Sequence, residues 1–562
     1  MRIKNFIFIL FIGSCFCKNH AICQTSYYPK DNRIYHQIDR LNNLYQVDSL
    51  VHHSAKQITR HEVFGILECK DSLDIKPRDK QLNKYYLQEG IIPKREGNLG
   101  FWKSLYYNPS HLFEIEQEDF NLVLNPVFYL NMGNDFSNDG FVFQNTRGLE
   151  LYGQWDNKFY FYTSLTENQS RPAEYVEPFI NKYFTIPGYG NYKDYQSSII
   201  DAFNGYDHSN AKAYLGYRLS KHTNLELGHN KHFIGNGVRS LLLSDAGHNY
   251  FYLKFQLKIW KLQYQSIFAE LASISARMNP GNELLPKKYM ASHYLSFRPS
   301  RTLEIGLFEA VVFSRENIFE LQYLNPLIIY RSIEHQLDSP DNVLLGINLA
   351  WNLMIGFSFY SQLIVDELRL SQLFGSEGWW GNKLGFQLGL KAFDIAGINQ
   401  LDGQIEFNRV RPFTYSHWNP TKVAPELSVS NYSHYNQPLA HPLGANFSEI
   451  IIKLRYRFSP RFLLEGRYIY TMVGRNNADN QGGDILLVNT SRNSDFGNFM
   501  HQGAKSKISN LTLDVGYELF YNFHIEAKLM YRTDTNNQLV NYNNTILSLG
   551  IKYNFDQSKV DY

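Results

Sequence analysis

Between Phe447 and Tyr470 the chain alternates apolar and polar residues with a strict period of two. Ile450, Ile452, Leu454, Tyr456 and Phe458 share one parity, with Lys453, Arg455 and Arg457 between them. Ser459-Pro460 turns the chain, and Phe462, Leu464, Gly466, Tyr468 and Tyr470 then alternate with Glu465 and Arg467. Successive side chains of a strand point to opposite faces, so this stretch reads as a hairpin with one apolar and one charged face. A sheet with lipid-like residues on one side and charges on the other predicts a transmembrane antiparallel β-barrel around an aqueous lumen.

The pattern recurs over 121–131, 145–155, 158–167, 210–219, 222–229, 249–258, 261–271, 289–298, 301–313, 343–351, 354–365, 382–393, 400–410, 446–458, 461–472, 508–519, 522–532 and 544–555. That makes about 18 strands, an even number as in bacterial single-chain barrels. The connections alternate in length. Asp156-Asn157, Ser220-Lys221, Pro299-Ser300 and Ser459-Pro460 are tight turns, whereas 168–209, 314–342, 411–445 and 473–507 are long. Outer-membrane barrels carry short periplasmic turns and long extracellular loops, which places both termini inside. The last strand ends in the aromatic Phe555, as barrel-assembly signals do.

Residues 31–99 differ in texture. Ile34, Ile38, Leu41 and Tyr45 have helical spacing, and Thr59-Arg60-His61-Glu62 is a capping box for a helix through about Glu68. A third helix has Pro77 at its start and Gly90 past its end. We therefore expect a signal peptide over 1–23, a small periplasmic α-helical domain over 24–115, and the barrel over 116–562. Arg2 and Lys4, the apolar run Phe6 to Ile12, and Ala21-Ile22-Cys23 before Gln24 make up the leader. Ile12-Gly13-Ser14-Cys15 offers an alternative, lipidation at Cys15. Cleavage before Gln24 leaves only Cys69, which excludes a disulfide framework or a cysteine-rich metal site.

Composition narrows the class further. The 562 residues carry a net charge of +2, which argues against a nucleic-acid binder. Mean hydropathy is −0.37, and no internal run approaches the roughly 18 apolar residues of a membrane helix. The 40 Tyr and 40 Phe suit a barrel with aromatic girdles.

Candidate chemistry lies in the loops. The loop 411–445 and its exit hold Arg411, Tyr415, His417, Tyr432, His434, Tyr435, His441 and Asn446. Aromatic faces stack on sugar rings while Arg, Asn and His donate to hydroxyls, so these residues are candidates for polysaccharide contact. The competing reading is that they pin the loop to the barrel mouth. His417, His434 and His441 lack metal-ligand spacing, so no metal or cofactor is expected. A second loop, around Gly235-Asn236-Gly237, places His232, Asn236, Arg239 and Asp245 at the mouth. Ser240, His232 and Asp245 could be drawn as a hydrolase triad, which only geometry can decide. The inward charges Lys254, Lys258, Lys453, Arg455, Arg457, Arg467, Glu465, Glu526 and Lys528 are mixed in sign. They suit cross-strand pairing or the anchoring of an inward-folded loop better than ion selection.

Several stretches carry a likeness: Asn125-Pro126-Val127, Asn145 to Glu150, Gly235 to Asp245, Gln322 to Pro326, Arg411 to Tyr415, and His441 to Phe447. Together they resemble the Wzi-type capsule-assembly family, and within it the branch described as RemB gliding-motility proteins. The likeness runs from about Arg33 onward and implies an outer-membrane barrel of about 18 strands with a periplasmic helical bundle. For Wzi proper it implies a lectin that holds capsular polysaccharide, and for the gliding branch a part in surface motility. The long loops prevent a residue-by-residue transfer of capsule ligands. We expect a monomeric, non-enzymatic barrel in outer-membrane lipid, meeting surface polysaccharide or adhesin components. The alternatives are a porin-like channel or transporter, and an outer-membrane hydrolase.

Overall fold

The computed structural model describes residues 26–28, 33–47, 51–68, 74–90, 105–138, 140–156, 158–198, 201–274, 285–315, 320–326, 329–373, 375–420, 425, 427–477 and 481–555. The leader, the alternative lipidation site at Cys15, and Cys69 lie outside them.

Period-two alternation becomes eighteen barrel strands. They are β1 (Phe120–Asp135), β2 (Gly140–Trp155), β3 (Phe159–Arg171), β4 (Gly205–Arg218), β5 (Thr223–Asn230), β6 (Tyr250–Ile259), β7 (Leu262–Ala272), β8 (Lys287–Phe297) and β9 (Leu303–Phe313). The second half comprises β10 (Asn342–Met354), β11 (Phe357–Glu367), β12 (Lys383–Ala392), β13 (Leu401–Val410), β14 (Phe447–Ser459), β15 (Phe462–Arg475), β16 (Ala504–Phe520), β17 (Phe523–Asn536) and β18 (Tyr542–Tyr553). Each pairs antiparallel with the next, and β18 closes on β1 from Phe128↔Tyr553 to Asp135↔Ile546. Below that seam the free edge of β1 is covered by a short strand, Phe113–Glu116, which pairs with Asn121–Leu124. The sheet therefore begins within the stretch expected to be helical.

The parity holds. On β14, Ile450, Ile452 and Leu454 are 38%, 45% and 49% exposed to the bilayer side, while Glu449 and Ile451 on the opposite parity are fully buried. Leu149, Leu215, Leu307, Leu363, Ile405 and Leu529 extend the same apolar belt around the barrel. Trp155, Trp260, Trp351 and Phe520 are exposed at the short-turn end, where an aromatic girdle meets the interface. The strands run beyond the predicted segments at the long-loop end. On β16, Lys505 and Lys507 face outward and keep the ladder going above the bilayer. There both faces are polar, so the hydrogen bonds continue after the apolar alternation has stopped. No helix among the described residues is long and apolar enough to cross a membrane.

The lumen is filled from both ends. Helices α1 (Ile34–Leu44), α2 (Arg60–Leu67) and α3 (Pro77–Leu87) sit in the short-turn mouth around Ile38, Leu41, Val63, Leu67 and Leu82. The Thr59/Glu62 capping box opens α2 as expected. Arg40 is fully buried and bonds Asp79 at 3.1 Å, Asp394 at 2.9 Å and Asp402 at 2.5 Å, tying α1 to α3 and to the turn before β13. The mixed lumen charges receive the plug. Lys391 bonds Asp39 at 2.7 Å, Lys254 bonds Gln57 at 2.7 Å, and Lys258 pairs with Glu62.

From the other end, the loop 231–249 descends into the barrel. Its Ile234, Leu241, Leu242 and Leu243 join Tyr250, Tyr294, Leu344, Ile364 and Val410 of the wall in one apolar core. The two plugs meet. Lys56 N–H donates to Phe233 O at 3.1 Å and Gly235 N–H to Ser54 O at 2.7 Å, an antiparallel bridge inside the lumen.

Candidate functional site

Two buried carboxylates on the wall hold the inward loop. Glu406 accepts Val238 N–H at 2.7 Å, Arg239 N–H at 3.1 Å, Tyr360 O–H at 2.7 Å and Asn408 Nδ2 at 2.9 Å. Gly237 lets the backbone approach this closely, because a Cβ there would collide with Glu406 Oε2. Glu449 receives Arg239 at 3.4 Å and His441 at 2.8 Å. Asn236 accepts from Asn348 on β10 at 3.3 Å, and Asp245 is half-buried on the returning limb.

Two of the three groups that could be drawn as a triad have other occupations. Ser240 is fully buried and donates to Ile234 O at 2.5 Å, while His232 Nδ1 faces the Tyr250 hydroxyl at 3.0 Å. Burial, with the Lys254 ammonium beside it, pushes the His232 imidazole well below its ordinary range.

The residues of loop 411–446 are pinned as well. Tyr415 donates to Leu241 O at 2.7 Å and Tyr432 to Leu242 O at 2.9 Å, with the two rings stacked, so both phenols clamp the inward loop. His441 Nδ1 accepts Leu443 N–H at 3.2 Å, so its Nε2 carries the proton given to Glu449. By the same logic His434 accepts from Ala272 N–H at 3.0 Å and donates to Asn249 O at 2.9 Å; burial lowers it to about 3. His417 is buried beside Trp418 and lowered by that burial to about 4. Asn446 is fully buried; its amide donates to Gly474 O and Gln502 O and accepts from His501 N–H. Arg411 Nε donates to Asn382 O at 2.8 Å. Tyr435 keeps a half-exposed ring against His248 and His434. The structure thus brings these residues together as a scaffold under the outer surface.

Over that scaffold lies a cavity of about 590 Å³ at the long-loop mouth. Its floor is Pro442 to Ala445 and its far wall the upper ends of β15, β16 and β17. Its near wall comes from the 172–204 loop, where Pro178 opens a short helix, α4 (Glu177–Tyr183), and Phe184 ends it in a left-handed conformation. Phe179 and Tyr183, one turn apart, pair with ring centroids 4.8 Å apart and face the cavity together with Tyr175 and Tyr542. Tyr183 O–H donates to Asp484 at 3.0 Å; burial first, then that carboxylate, pushes the phenol up, so it remains a donor. Lys182 bonds Asp484 at 3.2 Å, and Arg475 bonds Asp534 at 2.8 Å. Among the described residues Arg532 Nε and Nη1, Asp534 Oδ1 and Asn476 Nδ2 have no hydrogen-bond partner. The cavity thus combines aromatic faces with unspent donors and an unspent acceptor.

The family model described as capsule assembly protein Wzi matches residues 124–545, three quarters of the chain. The chain belongs to the Wzi capsule assembly family. The match runs from within β1 to the start of β18, takes in both mouth loops, and does not distinguish the gliding branch. No curated protein sequence matches. Among solved structures, the chain is similar to Wzi of Escherichia coli, titled a carbohydrate-binding β-barrel involved in group 1 capsule assembly. The two share 14% identity at a TM-score of 0.57 over 95% of this chain and 99% of that one. Two further similar folds are OprD of Pseudomonas aeruginosa (10% identity, TM-score 0.42, 77% and 94% covered) and OccAB2 of Acinetobacter baumannii (10%, 0.41, 77% and 97%).

Within this Wzi-family barrel, sequence reasoning missed the mouth cavity because its walls come from segments far apart in the chain. One signal was present: Phe179 and Tyr183 four residues apart, directly after a proline.

Proposed function

We propose that this chain is a monomeric, non-enzymatic surface barrel that holds exported polysaccharide at the outer face through the cavity at its long-loop mouth. The observation that carries this reading is the pairing of aromatic faces with unspent hydrogen-bonding groups around one outward cavity. Sugar rings stack by their C–H faces on aromatic rings while their hydroxyls need both donors and acceptors. The pinned residues of loop 411–446 serve by holding the floor, and Tyr435 by contact at the rim. The doubly plugged lumen supports anchoring over diffusion. The family membership and the E. coli Wzi fold support the same reading. Oligosaccharides cut from the cell's own surface polysaccharide, titrated against detergent-solubilised barrel, test it. Phe179→Ala with Tyr183→Ala is expected to weaken binding at least tenfold without altering barrel folding. Wild-type barrel that binds none of these oligosaccharides would overturn the reading.

A further inference from the structure

Among the described residues, the charges that line the mouth cavity do not balance. Lys182, Arg475 and Arg532 face Asp484 and Asp534. Lys182 is spent on Asp484 and Arg475 on Asp534, at 3.2 and 2.8 Å, which leaves Arg532 as the surplus cation. Arg532 is only 2% exposed. Its Nη2 lies 3.5 Å from Asp534 Oδ2, and its guanidinium sits 4.1 Å from the Tyr175 ring centroid. Its other two nitrogens, Nε and Nη1, have no hydrogen-bond partner among the described residues. Tyr175 covers the guanidinium, whose Nε and Nη1 are buried at the cavity wall. A buried cation with unspent donors calls for a negatively charged acceptor, since a charge-assisted bond is about twice as strong as a neutral one.

We infer that the cavity takes an anionic sugar residue of an exported polysaccharide, a uronic acid or a sulfate-bearing hexose, with the anion on Arg532. This rests on the polysaccharide reading above and adds the chemical class. The singly negative group matches the single surplus positive charge among the described lining residues. The ring lies against Phe179 and Tyr183, and its hydroxyls reach Asp534 Oδ1 and Asn476 Nδ2. Asp534, already paired with Arg475, accepts a hydroxyl without repelling the anion strongly.

The test uses full-length barrel and oligosaccharides from the producing cell's own surface polysaccharide in three forms: native, carboxyl-reduced and desulfated. Native material is expected to bind at least tenfold more tightly than one of the treated forms, and which treatment weakens it identifies the anion. Arg532→Gln is expected to lower native binding to the level of that treated form while leaving the treated form within twofold. Arg532→Lys is expected to retain part of the preference, and heat-modifiable gel mobility reports that each variant is folded. Equal binding of all three forms by wild type would overturn the anionic assignment while leaving polysaccharide binding intact. A surface polysaccharide without acidic residues would do the same. Failure to bind any form would remove both readings.

Discussion

The Glu406→Ala substitution isolates what keeps the outer loop inside the barrel. Glu406 is fully buried and satisfies two backbone N–H groups of that loop, the Tyr360 hydroxyl and the Asn408 amide. Each bond to the charged group contributes about 1.5–3 kcal/mol, and truncation strands four donors away from water. Because Tyr360 and Asn408 can partly re-pair, we expect a net loss of about 4 kcal/mol for the docked loop. That is roughly a thousandfold in the docking equilibrium. Barrel closure is untouched, because the Glu406 side chain contributes no ladder bond. The assay is trypsin on reconstituted barrel. Arg239, buried in the wild type, becomes a cleavage site, while heat-modifiable mobility still reports a closed barrel. Hydrogen exchange at Lys56 should rise with it, because its N–H is held by Phe233 O. Glu406→Gln keeps one acceptor and should show about half the free-energy loss. Unchanged protection of Arg239 and Lys56 in Glu406→Ala would refute the anchoring argument.

Arg40→Ala leaves Asp79 buried without its cation, and Asp394 and Asp402 with only Lys76 and His36 beside them, so the helical plug should loosen by about 3 kcal/mol; limited proteolysis from the short-turn side reads this. The strap that carries His52 should weaken in acid. Burial outweighs the nearby Glu304 carboxylate and drops His52 to about 4, against about 6.5 unfolded. The fold keeps His52 neutral, so stability is full above about pH 6.5, falls as the unfolded chain takes the proton, and levels off below about pH 4. Hydrogen exchange over 51–58 from pH 7 to 4 measures this, and His52→Gln should make the fall shallower, with the buried His53 supplying the remainder. Ile452→Arg, at mid-belt on the lipid face, should cost about 2–4 kcal/mol in urea unfolding from liposomes.

Sequence alone determined the wall of this protein. In a strand between lipid and water the two faces differ in solvent, so parity is written residue by residue, as on Ile450, Ile452 and Leu454 against Lys453 and Arg455. Loop length added the sidedness; apolar spacing added the first N-terminal helix, and end signals the second and third. What fills the wall was decided by tertiary structure. Leu241, Leu242 and Leu243 carry no period and read as any short apolar run, yet they form the lumen core because Glu406 draws their loop inward. Tyr415, Tyr432 and His441 looked like sugar contacts from composition, and are held as clamps because their polar tips meet carbonyls and a carboxylate from distant segments. Arg532 ends a predicted strand and Asp534 lies just past it, and only the approach of Tyr175, 357 residues earlier in the chain, makes a cavity of them. Pairwise periodicity is local and survives in one dimension. Which loop meets which wall depends on long-range closure, which spacing along the chain does not encode.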